Sequence, residues 1–567
     1  MKKIIASLLS ALVLVATSTA VQAADTPGEQ FAIAGPADNV PSAGVVIEDS
    51  QFIKNHAVAL QGFTSANSVR GEKPTSLTNC TSYPSAQCTT SMFYNYKAFF
   101  GNCENESSHD CVLSVVGKGS DGVSHKAIFV ENFPGNSEYS FTGDPASNLP
   151  NSSSSFIVQI PGVPHSKGDL YLVTVNVDGS KEFNDSQFRI GDFRAGIFAV
   201  TVVNGSYTVA HPNTDLANVS FVGLQTNLRV SFDNSTGKFS GCAQATKTRC
   251  ALTWPLPDDV EFSMTLKLRT KINGWIHGRL SQVSAKINVS PDGDQLVSVS
   301  GKPVTVPTVF EWFHLDNLPS SVKQFYANDP RFMSQGTGFG GNGWGTQTSI
   351  LKDYIPYTMQ GFPEAIAWYS AIGDKASTAA TAWSFRTIES GNLPGQCNPA
   401  DNQLTGIVTT NSNMFVAAPP DFNREDQTLD YKVSSPHFLP DGSVFKGVYN
   451  LVMRSDYARC LYKFTNAPVS ASISILSADG TSQVATTVLG ERDGWLYLSA
   501  SNFTFSSPIL KVKLTQEAAP AATPKETASP AAKIPAPTKS TITCVKGKTT
   551  KKVTGLKPMC PSGYKKK

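Results

Sequence analysis

The sequence has none of the short motifs that mark the common hydrolases and nucleotide-binding enzymes. It contains no H-E-x-x-H, no G-x-S-x-G, no Walker loop, and no Ser-x-x-Lys with matching partner motifs. Its eight histidines lack metal-ligand spacing, and none of its ten cysteines belongs to a Cys-x2-Cys pair. We therefore expect no cofactor and no metal, and the sequence favours a non-enzymatic protein.

Long apolar runs are also missing beyond the N-terminus. Lys2 and Lys3 precede the apolar run Ile4–Ala16, and Val21-Gln22-Ala23 offers small residues for cleavage. A membrane-spanning helix needs about 20 apolar residues, so this run is too short to cross a bilayer. Residues 1–23 are therefore predicted to be a secretory signal peptide. Its removal would leave a secreted or cell-surface protein without a membrane span.

Export would place the cysteines in an oxidising compartment, where disulfides form and persist. Three pairs share the spacing Cys-x7-Cys, which suits local disulfides that staple hairpins. The sequence predicts five disulfides, which are Cys80–Cys88, Cys103–Cys111, Cys242–Cys250, Cys397–Cys460 and Cys544–Cys560. For the first four cysteines, the pairing Cys80–Cys111 with Cys88–Cys103 is an open alternative.

Most of the chain carries the period-two alternation that predicts β-strands. Between Glu261 and Arg269, four apolar residues alternate strictly with polar ones, as in a sheet with one wet face. Leu510, Val512 and Leu514 alternate with lysines in the same way. Asn204-Gly205 and Asp178-Gly179 predict tight hairpin turns.

These patterns divide the chain into six regions of a mainly β, multi-domain fold. They are a signal peptide (1–23), a β-rich region of one large or two smaller β-sandwiches (24–310), a small helical Trp-rich connector (311–395), a β-sandwich (396–516), a Pro/Ala/Thr linker (517–538) and a basic tail module (539–567). If the second region holds two sandwiches, the break is expected near Ser152–Ser155.

The connector is predicted to contain three helices. Ser320-Ser321 would cap a short helix that ends at Phe325, Pro363 fits the first turn of another, and a third is expected from about Lys375 to Ile388. Four of the seven tryptophans fall here, namely Trp312, Trp344, Trp368 and Trp383. We interpret them as filling a plug packed on the sheets; the alternative is an aromatic platform for sugar rings.

Two glycine-containing segments carry weak signals for a ligand. Gly336–Gly341 fits G-x-G-x-x-G but follows no predicted strand, so we interpret it as a flexible loop. Its Phe339, together with Trp344, would cover a ligand. Asp292-Gly293-Asp294 resembles half a calcium loop but lacks the later acidic ligands.

Two clusters of titratable residues also stand out. They are Glu311, His314 and Asp316, and further along the chain Glu425, Asp426 and Asp430. We interpret the first as a locally hydrogen-bonded histidine. The second is a candidate carboxylate pair for glycoside hydrolysis, for which the two carboxyl groups must lie about 5–9.5 Å apart.

The C-terminal module is strongly basic. From Lys539 onward the chain holds nine lysines and no acid, whereas the rest has 38 basic and 44 acidic residues. Without Lys2 and Lys3, the body has a formal net charge of −8. This division argues against nucleic-acid binding by the body and predicts an anionic partner for the module. The lysines expected to bind an anionic cell-wall polymer are Lys546, Lys548, Lys551, Lys552, Lys557, Lys565, Lys566 and Lys567.

The same module is predicted to be a small hairpin. Thr541–Val545 and Thr549–Val553 are strand-like and flank the turn Lys546-Gly547-Lys548. A fragment this small has little core, so the disulfide Cys544–Cys560 would hold its shape.

Two stretches of the C-terminal half resemble uncharacterised secreted proteins of actinobacteria. One is Tyr449–Gln516, with YNLVMRSDYARCLYKF and GERDGWLYLSASNFTF; the other is Ile542–Lys567, with CVKGKTTKKVTG and CPSGYKKK. Gly274–Leu280 (GWIHGRL) and Ala382–Ile388 (AWSFRTI) are similar to the same group more weakly. The resemblance implies an exported surface protein of a Gram-positive bacterium and attaches no activity to it.

Two functions follow from these features. The first is a non-enzymatic surface protein that binds or adheres, whose β-domains meet an extracellular glycan or protein. The second is a secreted hydrolase acting on polysaccharide or peptide, with the Trp-rich region over a cleft. The export signal, the disulfides, the linker and the basic module favour the first.

Overall fold

The computed structural model of the chain describes residues 42–47, 49, 57–69, 71–135, 137–207, 209, 211–212, 226–227, 232–233, 238–239, 241–325, 344–346, 349–354, 361–388, 397, 404–465, 469–476, 482–483, 486–505, 509–516 and 539–567. The chain forms two compact units, Met1–Gln516 and Glu517–Lys567. Within the described residues, no helix is long and apolar enough to cross a membrane. The predicted signal peptide (1–23) and linker (517–538) lie outside them.

The protein is mainly β, as the alternation predicts. Its first strands are β1 Ser42–Ile47, β2 Ala59–Ser65, β3 Pro74–Asn79, β4 Phe93–Phe99, β5 Cys111–Lys118, β6 Ser124–Lys126, β7 Ile128–Asn132, β8 Phe156–Gln159, β9 Leu170–Glu182, β10 Arg189–Asn204, β11 His211–Pro212, β12 Thr226–Asn227, β13 Phe232–Asp233, β14 Lys238–Phe239, β15 Cys242–Ala245, β16 Arg249–Trp254, β17 Glu261–Leu268, β18 Gly274–Arg279, β19 Ser281–Val289, β20 Gln295–Lys302 and β21 Val304–His314. The later strands are β22 Trp344–Thr346, β23 Ser349–Tyr354, β24 Thr378–Ile388, β25 Leu404–Thr410, β26 Met414–Phe415, β27 Asp421–Asn423, β28 Thr428–Ser434, β29 Lys446–Arg454, β30 Val469–Leu476, β31 Ser482–Gln483, β32 Thr486–Arg492, β33 Trp495–Thr504, β34 Ile509–Gln516, β35 Ser540–Lys546, β36 Thr549–Gly555 and β37 Lys565–Lys566. The α-helices are α1 Ser320–Phe325, α2 Gly361–Ala371 and α3 Ser455–Tyr462.

One large sheet runs through the first unit. Part of it is a continuous path of strands in the order β8–β9–β10–β24–β18–β25–β29–β33–β32. Neighbours along this path are antiparallel, except that β18 and β25 are parallel. Strands from the predicted regions 24–310, 311–395 and 396–516 therefore pair within one sheet. The expected boundary at residue 310 falls inside β21.

A five-stranded sheet in the order β19–β20–β17–β5–β6 packs on one face of the large sheet. In β17, Phe262, Met264, Leu266 and Leu268 are fully buried, as the alternation predicts. They share one core with large-sheet residues such as Phe385. Burying each such side chain contributes about 1.5–3 kcal/mol, so this face is a principal source of stability.

A second core lies towards the other end of the large sheet. The sheet β26–β28–β34–β30–β31, with β27 paired to β28, buries Leu510, Val512 and Leu514 there. These residues pack with Leu451 of β29 and with α3. The alternation in β34 thus marks its buried face correctly.

The connector is partly helical and partly strand. The predicted helices that begin at Ser320 and contain Pro363 are confirmed as α1 and α2. The predicted third helix, Lys375 to Ile388, is wrong, because Thr378–Ile388 is β24 and pairs with β10, β18 and β21. Trp383 and Phe385 enter the first core, while Ser384 and Arg386 are buried on the opposite face. Only the four residues 383–386 alternate between apolar and polar, and the Thr- and Ala-rich residues 378–382 before them do not, so the strand pattern is short.

Two predicted hairpin turns are also wrong. The strand β9 runs straight through Asp178-Gly179. A Cβ at Gly179 would collide with the Arg189 carbonyl and the Tyr96 ring. This glycine permits close packing rather than a turn. After β10, the Gly205 N–H donates to the Thr248 carbonyl at 2.9 Å, so the chain does not fold back on β10 at Asn204-Gly205.

All ten cysteines form disulfides, in the local pairing that the spacing predicts. They are Cys80–Cys88, Cys103–Cys111, Cys242–Cys250, Cys397–Cys460 and Cys544–Cys560. The crossed alternative for the first four is therefore wrong. Cys397–Cys460 joins residues 63 apart. On the chain-entropy model, closing such a loop contributes about 4 kcal/mol.

A fully buried arginine ties the large sheet to the segments packed on it. The Nε and Nη2 atoms of Arg279 donate to the two carboxylate oxygens of Asp49 at 3.1 and 3.0 Å. Its Nη1 donates to the Thr410 and Ser412 carbonyls at 2.8 and 2.6 Å. The guanidinium also lies over the Phe415 ring. A buried charge is tolerated only with partners of this kind.

Replacing Arg279 with Met should lower the free energy of unfolding by about 3–5 kcal/mol, because the nearly buried Asp49 carboxylate would lose its guanidinium partner. Urea denaturation measures this change. The matched control is Arg189→Ala, which removes a pair with Asp185 in which the arginine side chain is 74% exposed; it should cost about 0–1 kcal/mol. Equal losses of unfolding free energy for the two variants would show that the Arg279 network stabilises the fold no more than an exposed ion pair does.

Candidate functional site

The C-terminal module is a three-stranded sheet in the order β36–β35–β37. β35 and β36 pair from Ser540↔Gly555 to Lys546↔Thr549, so the predicted hairpin is confirmed. Gly547 has φ +58° in the turn, a conformation that favours glycine. Cys544, on the central strand, is fully buried and bonded to Cys560. The disulfide therefore forms the centre of this small unit.

The eight lysines predicted to bind a polymer are all exposed. Lys551 and Lys566 lie directly opposite Cys544 on its two neighbouring strands, so they share the face of the disulfide. Their backbones are roughly 10 Å apart, which is two strand spacings. Lys552 and Lys565 lie opposite Thr543 and Val545, on the other face. The module therefore presents cations on both faces of its sheet.

The predicted aromatic ligand residues Phe339 and Trp344 stay a prediction, because their side chains lie outside the part of the chain that the structure describes. Phe339 lies outside the described residues, and Trp344 is described only as a backbone position in β22. Of the other connector tryptophans, Trp368 and Trp383 are 0% and 1% exposed and belong to cores. These two support the interpretation of the tryptophans as packing residues.

The cluster Glu311, His314 and Asp316 does not assemble as a site. Glu311 and His314 lie on β21 three residues apart, so their side chains point to opposite faces of the strand. Asp316 lies in a short 3-10 helix beyond the strand end. The Glu311 carboxylate accepts a hydrogen bond from the Trp312 N–H at 3.0 Å.

In the structure, the residues of the second carboxylate cluster have different neighbours from those that the sequence suggests. Asp430 lies directly opposite Asp421 on β27, a residue that the sequence analysis missed. Burial and then the Asp430 charge raise the pKa of Asp421. Both aspartates line a cavity of about 280 Å³. Asp426 instead forms an ion pair with Lys511, with 2.6 Å between Oδ2 and Nζ.

Lys511 also approaches Asp430, with 3.4 Å between Nζ and Oδ2. The Thr428 hydroxyl donates to the other Asp430 oxygen at 2.6 Å. Asp430 therefore has an ammonium and a hydroxyl as partners, and it lies beside Asp421, whose pKa is raised. The signal for Asp421 is absent from the local sequence, because the pairing depends on the β27–β28 hairpin register.

The half calcium loop belongs to an ion-pair network. Asp292, Asp294 and His109 lie close enough to share an ion, and His109 Nδ1 contacts Asp294. The Lys267 ammonium, also missed from sequence, lies 2.8 Å from an Asp292 oxygen and 3.8 Å from an Asp294 oxygen. The pKa of Asp292 is lowered, chiefly by its hydrogen bond with Lys267. The Lys267 ammonium thus already offsets one of the two carboxylate charges.

Another cavity measures about 400 Å³. It lies between the loop closed by Cys103–Cys111 and residues 143–153, and Arg269 also lines it. Asp110 faces it, and both of its oxygens accept hydrogen bonds from Thr270, at 2.9 and 3.0 Å. Burial raises the pKa of Asp110, while these hydrogen bonds oppose the rise. No aromatic residue lines this cavity, so it offers no platform for a sugar ring.

A buried histidine lies beside the Arg279 network. The His277 ring is fully buried and stacks on Phe415, with 3.7 Å between ring centroids. Burial, followed by the charges of Arg279 and Arg386, lowers its pKa well below the ordinary 6.5. His277 is therefore a neutral packing residue rather than a proton donor.

His277 should make the protein sensitive to acid. Below pH 6.5 the unfolded chain binds a proton at this residue and the folded chain does not, so the free energy of unfolding falls as pH falls. The slope from one such proton is about 1.4 kcal/mol per pH unit. His277→Gln should flatten this part of the dependence in urea titrations between pH 7 and about pH 5. Identical slopes for the two proteins would contradict a neutral buried His277.

No protein-family model matches this chain, and no curated protein sequence matches it either.

Proposed function

We propose that this is an exported cell-surface protein that binds or adheres without catalysis, and that its C-terminal module attaches it to anionic polymers of the cell wall. The main support for attachment is the charge of the described module 539–567, which holds nine lysines and no acid. The eight lysines that are predicted to contact the polymer are exposed. The resemblance to secreted actinobacterial proteins and the five disulfides support the location.

The physical basis of the attachment is electrostatic. A polymer that bears phosphate or carboxylate groups can meet several ammonium groups at once and release its condensed counterions. Each contact is weak and screened by salt, with a Debye length of about 8 Å at physiological ionic strength. Many contacts together give an affinity that falls steeply as salt rises.

The first unit is the candidate for binding an extracellular glycan or protein. Without the signal peptide, residues before the module have a formal net charge of −8, so they do not compete for an anionic polymer. Buried tryptophans and the ion-paired Asp426 and Asp430 support a structural role for residues that would otherwise favour a hydrolase.

Export and disulfide formation can be checked by mass. The secreted protein should begin at Ala24 or Asp25, with a mass lower by about ten hydrogens than the fully reduced chain, since each disulfide removes two. Intact-mass analysis with and without reduction measures both properties. Retention of Met1 inside the cell, or thiols that can be alkylated without reduction, would contradict the proposal.

The module should be necessary for attachment. The full secreted chain should bind isolated walls at low salt and be released as salt rises, whereas a chain that lacks residues 539–567 should stay in solution. Co-sedimentation measures the bound fraction. Walls stripped of anionic polymer serve as the control. Undiminished binding to stripped walls would rule out the polymer as the partner.

The structure also offers a matched test of geometry within this experiment. Lys551→Gln with Lys566→Gln removes two charges from the disulfide face, and Lys552→Gln with Lys565→Gln removes two from the opposite face. A polymer that wraps both faces should lose affinity equally in the two variants. Loss in one variant alone would identify the binding face.

A further inference from the structure

The module combines its charge with two strongly exposed apolar side chains. Met559 is 82% exposed and Leu556 is 60% exposed, which places them among the three most exposed large apolar residues of the described chain. They lie in one short connection, with the exposed Lys557 between them. Scattered apolar residues are normal on a surface, but two neighbours on a cationic module form a distinct feature.

This connection is fixed rather than loose at both ends. Leu556 follows β36 directly, and Met559 precedes Cys560, which is bonded to the buried Cys544. Pro558, between them, restricts the backbone further. By contrast, Ile542, Val553 and Tyr564 are half-buried in the same unit. The exposure of Leu556 and Met559 is therefore not shared by the module's other large apolar residues.

We propose that the segment Leu556–Met559, which we name the apolar tip, inserts into the interfacial layer of an anionic lipid bilayer. The lysines would meet the lipid phosphates, and this electrostatic part uses the same exposed lysines as the attachment proposed above. The apolar part does not, since it depends on Leu556 and Met559 alone. Apolar side chains inserted beside basic residues are a typical combination for proteins that lie on membranes.

The charge of the module distinguishes between the partners that could cover the apolar tip. A hydrophilic wall polymer neutralises the lysines but offers no apolar surface to Leu556 and Met559. A second copy of the module would bring nine lysines against nine, with no acid in either copy to offset the repulsion. An anionic bilayer supplies both negative headgroups and acyl chains, so it satisfies both features at once.

The two features predict different responses to salt. Lysine contacts with lipid phosphates weaken as ionic strength rises. Burial of Leu556 and Met559 in the acyl boundary is not screened, because it is driven by removal of apolar surface from water. Binding to vesicles should therefore retain a salt-resistant part, whereas binding to walls should not.

Vesicle co-sedimentation of the full secreted chain tests the tip. The probe is phosphatidylcholine vesicles with about 30% phosphatidylglycerol, compared with vesicles of phosphatidylcholine alone. Leu556→Ser with Met559→Ser should weaken binding to the anionic vesicles by about tenfold or more. The control is Thr550→Ser with Thr554→Ser, which makes the same number of changes at exposed positions of β36 and should leave binding unchanged.

A label reports insertion directly. In the oxidised protein every cysteine is paired, so Met559→Cys introduces a single thiol for an environment-sensitive fluorophore. Its emission should shift to the blue with anionic vesicles and stay unshifted with soluble polyphosphate. A blue shift with polyphosphate, or none with vesicles, would overturn the proposal.

The outcomes separate this inference from the proposed wall attachment. If the tip variant binds vesicles as well as the unmodified chain does, the tip proposal fails, whatever the walls show. If the tip variant loses vesicle binding while wall binding is absent throughout, the tip stands and the wall attachment fails. If the variant changes the oligomeric state instead, the tip contacts a second copy and the bilayer proposal fails.

Discussion

The first unit depends on one buried charge, the guanidinium of Arg279. Its hydrogen bonds reach Asp49 beyond β1, the carbonyl of the last residue of β25 and a second carbonyl two residues later. A buried guanidinium without these acceptors would cost several kcal/mol, so each segment must lie where its oxygen meets the donor fork. Small displacements of these segments would break the hydrogen bonds of Arg279, whereas contacts between apolar side chains alone would tolerate them.

The sequence predicts those parts of the fold in which one face of a strand is wet. In β17 and β34 the polar positions are exposed or half-buried, except for the buried Lys267, and the alternation with apolar residues remains visible in the sequence. In β24 both faces are covered, and its Ala- and Thr-rich start suggests a helix as readily as a strand. Long-range pairing with three other strands decides its conformation, and local propensity cannot report such pairing.

Predictions of turns from glycine residues fail for a related reason. Gly179 is required by Tyr96 and Arg189, which are distant in sequence, and in sequence it cannot be distinguished from a turn glycine. Gly547 and the pair Asp493-Gly494 lie in true turns with positive φ, where local chemistry is the whole cause. Sequence reasoning therefore works best where the cause of the conformation lies within a few residues.

The same distinction applies to the candidate sites. The basic module is local, since its hairpin, disulfide and lysines all fall within residues 539–567, and its strands and disulfide are confirmed. The partners that reorganise the acidic clusters are not local. Lys267 on β17 meets Asp292 in the connection between β19 and β20, and Asp421 meets Asp430 only through the register of β27 and β28. The partners of these charged residues can be identified only when the pairing of the strands is known.

The separation between the partners of Arg279 has a consequence for folding kinetics. Asp49 lies 230 residues before it, and the Thr410 carbonyl lies 131 residues after it. Three of the disulfides, by contrast, join cysteines only eight residues apart. Contacts of such different range form at different times, because long loops must close before distant groups can meet. We therefore expect the short loops closed by these disulfides to form early, while β18 stays unburied until residues beyond 410 have been synthesised. Until then, unpaired strand edges of the large sheet are exposed to aggregation.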